Sequence, residues 1–156
     1  MSMRPKPIGP VPEDTARVAR AAFPKGTTYV QMRDVLGAIY DDEDFAELFE
    51  ARGRPAIAPW RLALVTLMQF SEGLSDRQTA EAVRARIDWK YALGLQLSDP
   101  GFHFSVLSEF RSRLLEGARR GYFWRSSLRN VRSAVTSRSG AERAPIRRMY
   151  WALCAF

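Results

Sequence analysis

From Pro12 to Leu115 the apolar residues recur at intervals of three and four, and no stretch sustains the period-two alternation of a strand. The pattern predicts an all-α body, a small multi-helix domain. Pro12 opens a first short helix with Glu13 and Asp14 in its first turn, where carboxylates suit the helix dipole, and Pro24 with Gly26 ends it. Val18, Ala19, Ala22 and Phe23 give it one apolar side. A second helix is predicted from Thr28 to Ile39, with Tyr29, Met32, Val35, Leu36 and Ile39 at helical spacing. The acidic run Asp41 to Asp44 begins a third, where Phe45, Leu48 and Phe49 recur, and a solvated helix N-terminus accounts for those acids. After the stiff connector Gly53-Arg54-Pro55 and Pro59, Trp60 to Phe70 is the most apolar stretch of the chain. Leu62, Leu64, Val65, Leu67, Met68 and Phe70 wrap most of the way round it, as in a central helix with neighbours on several sides. Gly73 closes it. Ser75 with Gln78 reads as a capping box, followed by a buried stripe at Ala80, Val83 and Ile87, and Trp89 to Leu95 continues the helical pattern. Asp99-Pro100-Gly101 marks a turn, and Ser105 caps a last helix through Leu115, with Val106, Leu107, Phe110 and Leu114 inward and Arg111 and Arg113 outward.

Length and composition add limits to this picture. A chain of 156 residues holds one domain with a real core, and the prolines and glycine among its first residues predict a flexible leader over 1–11 ahead of a helical domain over 12–116. Cys154 is the single cysteine, so no intrachain disulfide and no cysteine-based zinc site is expected, and a reducing, cytoplasmic setting fits. The basic residues of the leader have no apolar run behind them, and no membrane segment is predicted. Charge is the uneven quantity. Residues 1–116 hold 15 Lys and Arg against 16 Asp and Glu, whereas residues 117–156 hold nine Arg, no Lys and the single acid Glu142. The formal +7 of the whole chain therefore belongs to its last 40 residues.

Catalytic chemistry finds little support in the pattern. His103, the only histidine, stands beside a turn between two phenylalanines, with no triad or dyad partner placed near it. The acids at 41–44 lack the alternating spacing and central glycine of a calcium loop, and no glycine loop is present to cradle a phosphate. Neither a cofactor nor a small-molecule substrate is expected. A nucleic-acid reading does better. Two helices joined by Glu72-Gly73-Leu74 have the form of a helix-turn-helix, whose second helix offers Arg77, Gln78, Arg84 and Arg86, side chains able to meet guanine, adenine and phosphate. An ordinary helical hairpin with a charged outer face fits the same pattern.

One stretch is more specific. The segment from Asp42 to Gly117 carries Gly53-Arg54-Pro55, the apolar helix, Gly73-Leu74-Ser75-Asp76-Arg77-Gln78, Trp89-Lys90-Tyr91-Ala92-Leu93-Gly94-Leu95, Phe104-Ser105, and Phe110-Arg111-Ser112-Arg113-Leu114, in that order. It resembles the N-terminal domain of bacterial insertion-sequence transposases of the DDE type, the InsH-like group. The resemblance implies an all-helical module that helps a transposase recognise DNA, or assemble on the terminal repeats of its element. DNA contact is expected through Arg77, Gln78, Arg84 and Arg86, or through Arg111 and Arg113. The alternative is a protein–protein interaction module that pairs transposase protomers and touches no DNA. In the family, strand cleavage and transfer belong to a following RNase H-like domain whose carboxylates hold divalent metal ions. No stretch of this chain matches that domain, so no catalytic or metal-binding residue is carried over and a non-enzymatic fragment is expected.

Where such a protein would continue with an acidic, leucine-rich helix, this chain turns arginine-rich and lysine-free. Back-translated and shifted by one base, Phe123 to Leu128 is compatible with Leu-Glu-Lys-Leu-Leu, and Arg143 to Leu153 with Arg-Thr-Asp-Ser-Thr-His-Val-Leu-Gly-Ala. A truncating frameshift between Gly117 and Arg120 is the expectation, with a tail whose apolar residues share no face. Two other readings exist. The tail is a basic arm whose Tyr122, Phe123 and Trp124 stack on unpaired bases, or an aromatic cluster that docks on the body.

Overall fold

The computed structural model describes residues 7–50 and 57–119, and within them the chain forms helices and no strand. Gly53-Arg54-Pro55, the first part of the leader and everything after Arg119 lie outside the described residues. The elements are α1 (Glu13–Ala22), α2 (Thr28–Leu36), a 3₁₀ helix (Asp42–Leu48), α3 (Pro59–Glu72), α4 (Asp76–Ala85), α5 (Ile87–Leu93) and α6 (Ser105–Arg119).

Two helices act as hubs. α3 packs against the 3₁₀ helix, α4, α5 and α6, and buries Trp60, Leu62, Leu64, Val65, Leu67 and Met68, as its unbroken apolar run requires. Pro59 suits its first turn, where a missing N–H costs nothing. Phe70 departs from the expected wrap: it is 49% exposed. α5 is the second hub. Although only seven residues long, it buries every residue from Asp88 to Leu93 and carries both α1 and α2 on its surface. Tyr91 makes that junction specific, because its hydroxyl donates to Asp34 Oδ1 at 2.5 Å and accepts from Arg20 Nη2 at 3.5 Å. Thr15, on the buried side of α1, donates to the Leu95 carbonyl at 2.8 Å.

Several boundaries move from where periodicity puts them, each for a local reason. α2 stops at Leu36 because Gly37 takes a positive φ of 65°. The acidic run forms a 3₁₀ helix, and Asp42 is buried at 4% exposure and receives the Trp60 N–H at 3.5 Å, so it is not a solvated terminus. Phe45 fills the core from this element, edge-on to Tyr40 and tilted on Phe110. The helix beginning after Ser75 does not run on into Trp89: Arg86 adopts an extended conformation (φ −89°, ψ 124°) and separates α4 from α5. Ser105 is the first residue of α6 rather than its cap. His103 Nδ1 accepts the Ser105 N–H at 3.4 Å and meets its Oγ at 2.9 Å, which gives the lone histidine a structural role at the helix start. α6 continues past Leu115 to Arg119, and Gly117 is buried so closely on the 3₁₀ helix that a Cβ there would run into Leu48 Cδ2. Of the leader, Ile8 packs on the main core and Val11 on a smaller cluster of Ala19, Val30 and Tyr91.

Candidate nucleic-acid interface

The sequence turns from α3 into α4 through a device that fixes both helices. Gly73 sits in the left-handed region (φ 66°, ψ 33°), its N–H donates to Phe70 O at 3.3 Å, and the Leu74 N–H reaches back to Gln69 O at 3.0 Å. This is a Schellman closure, which only glycine makes without a Cβ penalty. Ser75 then caps α4 with the reciprocal pattern that its spacing from Gln78 predicts: Gln78 N donates to Ser75 Oγ at 3.4 Å and Ser75 N to Gln78 Oε1 at 2.9 Å. A second layer locks the turn from outside. Gln69 Nε2 donates to Leu74 O (3.1 Å) and Asp76 Oδ1 (2.7 Å), while Arg111 from α6 grips Asp76 with two hydrogen bonds of 2.9 and 2.7 Å. The Arg111 guanidinium holds the Asp76 carboxyl below the usual carboxylate range, against the opposing effect of burial.

α4 buries Thr79, Ala80, Ala82 and Val83 and turns Arg77, Gln78, Glu81 and Arg84 to solvent. Arg77 and Arg84, seven residues apart and so on one face, are the exposed cations of that helix. Arg77 rests over the Phe104 ring at 4.9 Å. Arg84 pairs with Glu81 at 3.0 Å and donates Nε to Pro100 O at 3.1 Å, with more than half of its side chain exposed. Gln78 uses its carbonyl oxygen on the cap, so a bidentate adenine contact has to compete with the Ser75 hydrogen bonds.

The remaining sequence candidates have different surroundings. Arg86 donates to both oxygens of Glu72 (2.8 and 2.6 Å) and both of Asp88 (3.1 and 2.8 Å), and lies over the rings of Tyr29 and Trp89. Burial opposes its charge, but the Asp88 and Glu72 hydrogen bonds outweigh burial and raise its proton affinity. Arg111 belongs to the turn just described. Arg113 lies over Phe49 at 5.3 Å and lines a cleft between α6 and the 3₁₀ helix together with Glu47, Glu109 and Glu116, surroundings that repel a phosphate. The structure thus brings Arg77, Gln78 and Arg84 onto one exposed face, with Glu81 among them as the partner of Arg84, and ties Arg86 and Arg111 to carboxylates and Arg113 to an acidic cleft elsewhere.

Sequence reasoning missed Arg33 and Arg61. Both are packed near Trp60, with guanidinium carbons 5.7 and 5.2 Å from its ring centroid. The signal in the chain was an arginine inside an otherwise apolar face, as Arg33 is between Met32 and Leu36. Among the described residues, no three His, Cys, Asp or Glu side chains come together to hold a metal ion, and no helix is long and apolar enough to cross a membrane.

An all-helical module in which α3 and α4 join through a short capped turn, with an exposed polar face on α4, is the class of protein that the fold and site define. Residues 17–113 match the family described as "Transposase domain (DUF772)", more than half of the chain. The chain belongs to that family, and its function is transposase-related. No curated protein and no solved structure matches it.

Proposed function

We propose that this chain is the DNA-recognition and assembly domain of an insertion-sequence transposase, that it meets DNA through the solvent face of α4, and that it performs no strand chemistry itself. The carrying observation is the placement of Arg77, Gln78 and Arg84 on one exposed face of a helix whose entry is fixed by Gly73, Ser75 and the Asp76–Arg111 pair. A recognition helix needs this combination, because base-edge contacts demand side chains held to within about 0.5 Å by rigid elements. Arg77 and Arg84 serve phosphate or guanine, and Gln78 serves a base edge once freed from its cap. Arg86 and Arg111 act in this reading as scaffold. The terminal repeats of the element are the natural partner, no cofactor or small-molecule substrate is needed, and the setting is cytoplasmic. The arginine-rich stretch after α6 is an out-of-frame continuation in the same reading, which the nucleotide sequence downstream of codon 116 tests.

Selection of the full chain against a pool of random-sequence duplexes tests the recognition claim. The account expects an enriched motif that Arg77→Ala with Gln78→Ala abolishes; no enrichment, or enrichment untouched by those substitutions, would contradict it. A second reading, a dimerisation module, draws on Leu115, which is 57% exposed on α6. Light scattering separates the two, since that reading requires a dimer that ignores duplex DNA and dissociates on Leu115→Ser.

A further inference from the structure

Among the described residues, two partly or fully buried guanidiniums, those of Arg33 and Arg61, are held by backbone carbonyls and not by a carboxylate. Arg33, in the last turn of α2, is only 9% exposed, and its Nη1 is buried without any hydrogen-bond partner. Its Nη2 donates to the Gly9 carbonyl at 3.3 Å. Arg61, near the start of α3 and partly exposed, donates Nε to Leu93 O at 2.9 Å and Nη2 to Gly94 O at 3.1 Å. The two groups converge at the end of α5: a Cβ built on Gly94 would stand 3.9 Å from Arg33 Nη2, and both guanidiniums lie within 6 Å of the Trp60 centroid. The ion pairs of the described residues involve Arg17, Arg84, Arg86 and Arg111, and none reaches Arg33 or Arg61. Burial and then the Arg61 charge lower the proton affinity of Arg33; burial lowers that of Arg61, with Asp99 and Asp42 opposing from beyond ion-pair distance.

Carbonyl dipoles at the end of α5 relieve part of this charge, yet they leave two like charges together and one buried donor idle. Both are costly arrangements. A single ligand repairs both. We propose that Arg33 and Arg61, gathered on Trp60 at the end of α5, form a binding site for a phosphate-type oxyanion. Guanidinium N–H groups make charge-assisted hydrogen bonds to tetrahedral oxyanions: Arg33 offers its idle Nη1 beside Nη2, and Arg61 offers Nη1, since its Nε and Nη2 are held by Leu93 O and Gly94 O. In the free protein the Gly9 carbonyl takes the place of one anion oxygen on Arg33 Nη2. The ligand enters past the partly exposed Arg61 and displaces that carbonyl, so the strap of residues 7–12 loosens as the anion binds. None of the α4 residues takes part, and the site stands whether or not α4 meets DNA. Its phosphate is either a free anion or a backbone phosphate of a duplex.

The test uses the full chain and inorganic phosphate. At constant ionic strength, replacing chloride by phosphate is expected to raise the melting temperature saturably in the parent and equally in the Arg77→Ala, Arg84→Ala control. Arg33→Gln is expected to weaken phosphate binding about tenfold or more, the effect of losing a charge-assisted pair of hydrogen bonds. Should that variant not fold, the parent still decides. Phosphate must shift the Nε–H resonances of Arg33 and Arg61 and the Gly94 amide with one saturating curve. Equal melting curves in chloride and phosphate, full phosphate response in Arg33→Gln, or shifts that avoid these three groups would overturn the site. Adding a short duplex to the phosphate-loaded protein distinguishes the sources: displacement of phosphate from those resonances assigns the site to backbone phosphate, and retention assigns it to the free anion.

Discussion

Arg86 sits where α2, α3, α4 and α5 meet, and its side chain shows why an arginine on a recognition-like helix need not face DNA. It bridges Glu72 and Asp88, and the same Glu72 accepts the Tyr29 hydroxyl at 2.6 Å. Burial first, and then that hydrogen bond to Glu72, push the Tyr29 hydroxyl well above its ordinary pKa, so it keeps its proton, and the donation to Glu72, beyond the pH at which a free tyrosine ionises. Removing Arg86 strands the nearly buried Asp88 carboxylate, and Arg86→Ala should cost about 2–3 kcal/mol in chemical denaturation. Arg84→Ala, which breaks an exposed pair with Glu81, should cost less than about 1 kcal/mol in the same measurement. Asp76 supplies the pH-sensitive contact. Its folded pKa is depressed below the ordinary 3.8, so the stability it contributes is present above that value and disappears as pH falls through the folded pKa. Acid unfolding followed by circular dichroism should therefore begin at lower stability and show a shallower acid limb in Asp76→Asn than in the parent.

At the scale of the element, the turn between α3 and α4 is specified by sequence with unusual redundancy. Gly73 supplies the left-handed residue, Ser75 and Gln78 the cap, and the Gln69–Asp76–Arg111 cluster the outer lock. Gly73→Ala should destabilise the protein by about 1–2 kcal/mol through its positive φ, even though a Cβ there meets nothing within 4 Å, and Ser75→Ala by about 1 kcal/mol through removal of the cap. Thermal denaturation of the two variants checks both. The Gly73 stop and the Ser75 cap were legible in the chain, because capping chemistry is local and acts through nearest neighbours. The α3 core stripe was legible for the same reason, since its periodicity is strong. The break at Arg86 was not, because nothing local marks it: the chain bends there so that Arg86 can reach Glu72 on α3, a contact across 14 residues. Asp42 was misjudged on similar grounds, as its partner Trp60 comes from the helix beyond the connector.

On the whole-molecule scale, the body is a near-neutral helical domain in which, among the described residues, the less exposed cations divide between carboxylate partners, as at Arg86 and Arg111, and backbone carbonyls, as at Arg33, Arg61 and Lys90. The candidate site was legible as a list of arginines but not as a surface. Periodicity placed Arg77, Gln78 and Arg84 outward, whereas only the tertiary contacts show that Arg86 and Arg111 are tied to carboxylates, and that Arg33 and Arg61 have none within ion-pair distance among the described residues. Affinity from such a surface comes from a small number of phosphate contacts, so it should be modest and should respond to salt in proportion. The salt dependence of duplex binding by the full chain, parent against Arg77→Ala with Arg84→Ala, is the most direct measurement of the central claim. If α4 meets DNA, the slope of log affinity against log salt becomes shallower by about 2 in the double variant, roughly one for each phosphate that an arginine no longer neutralises. Parallel lines of equal slope and affinity would mean that the α4 face does not touch DNA.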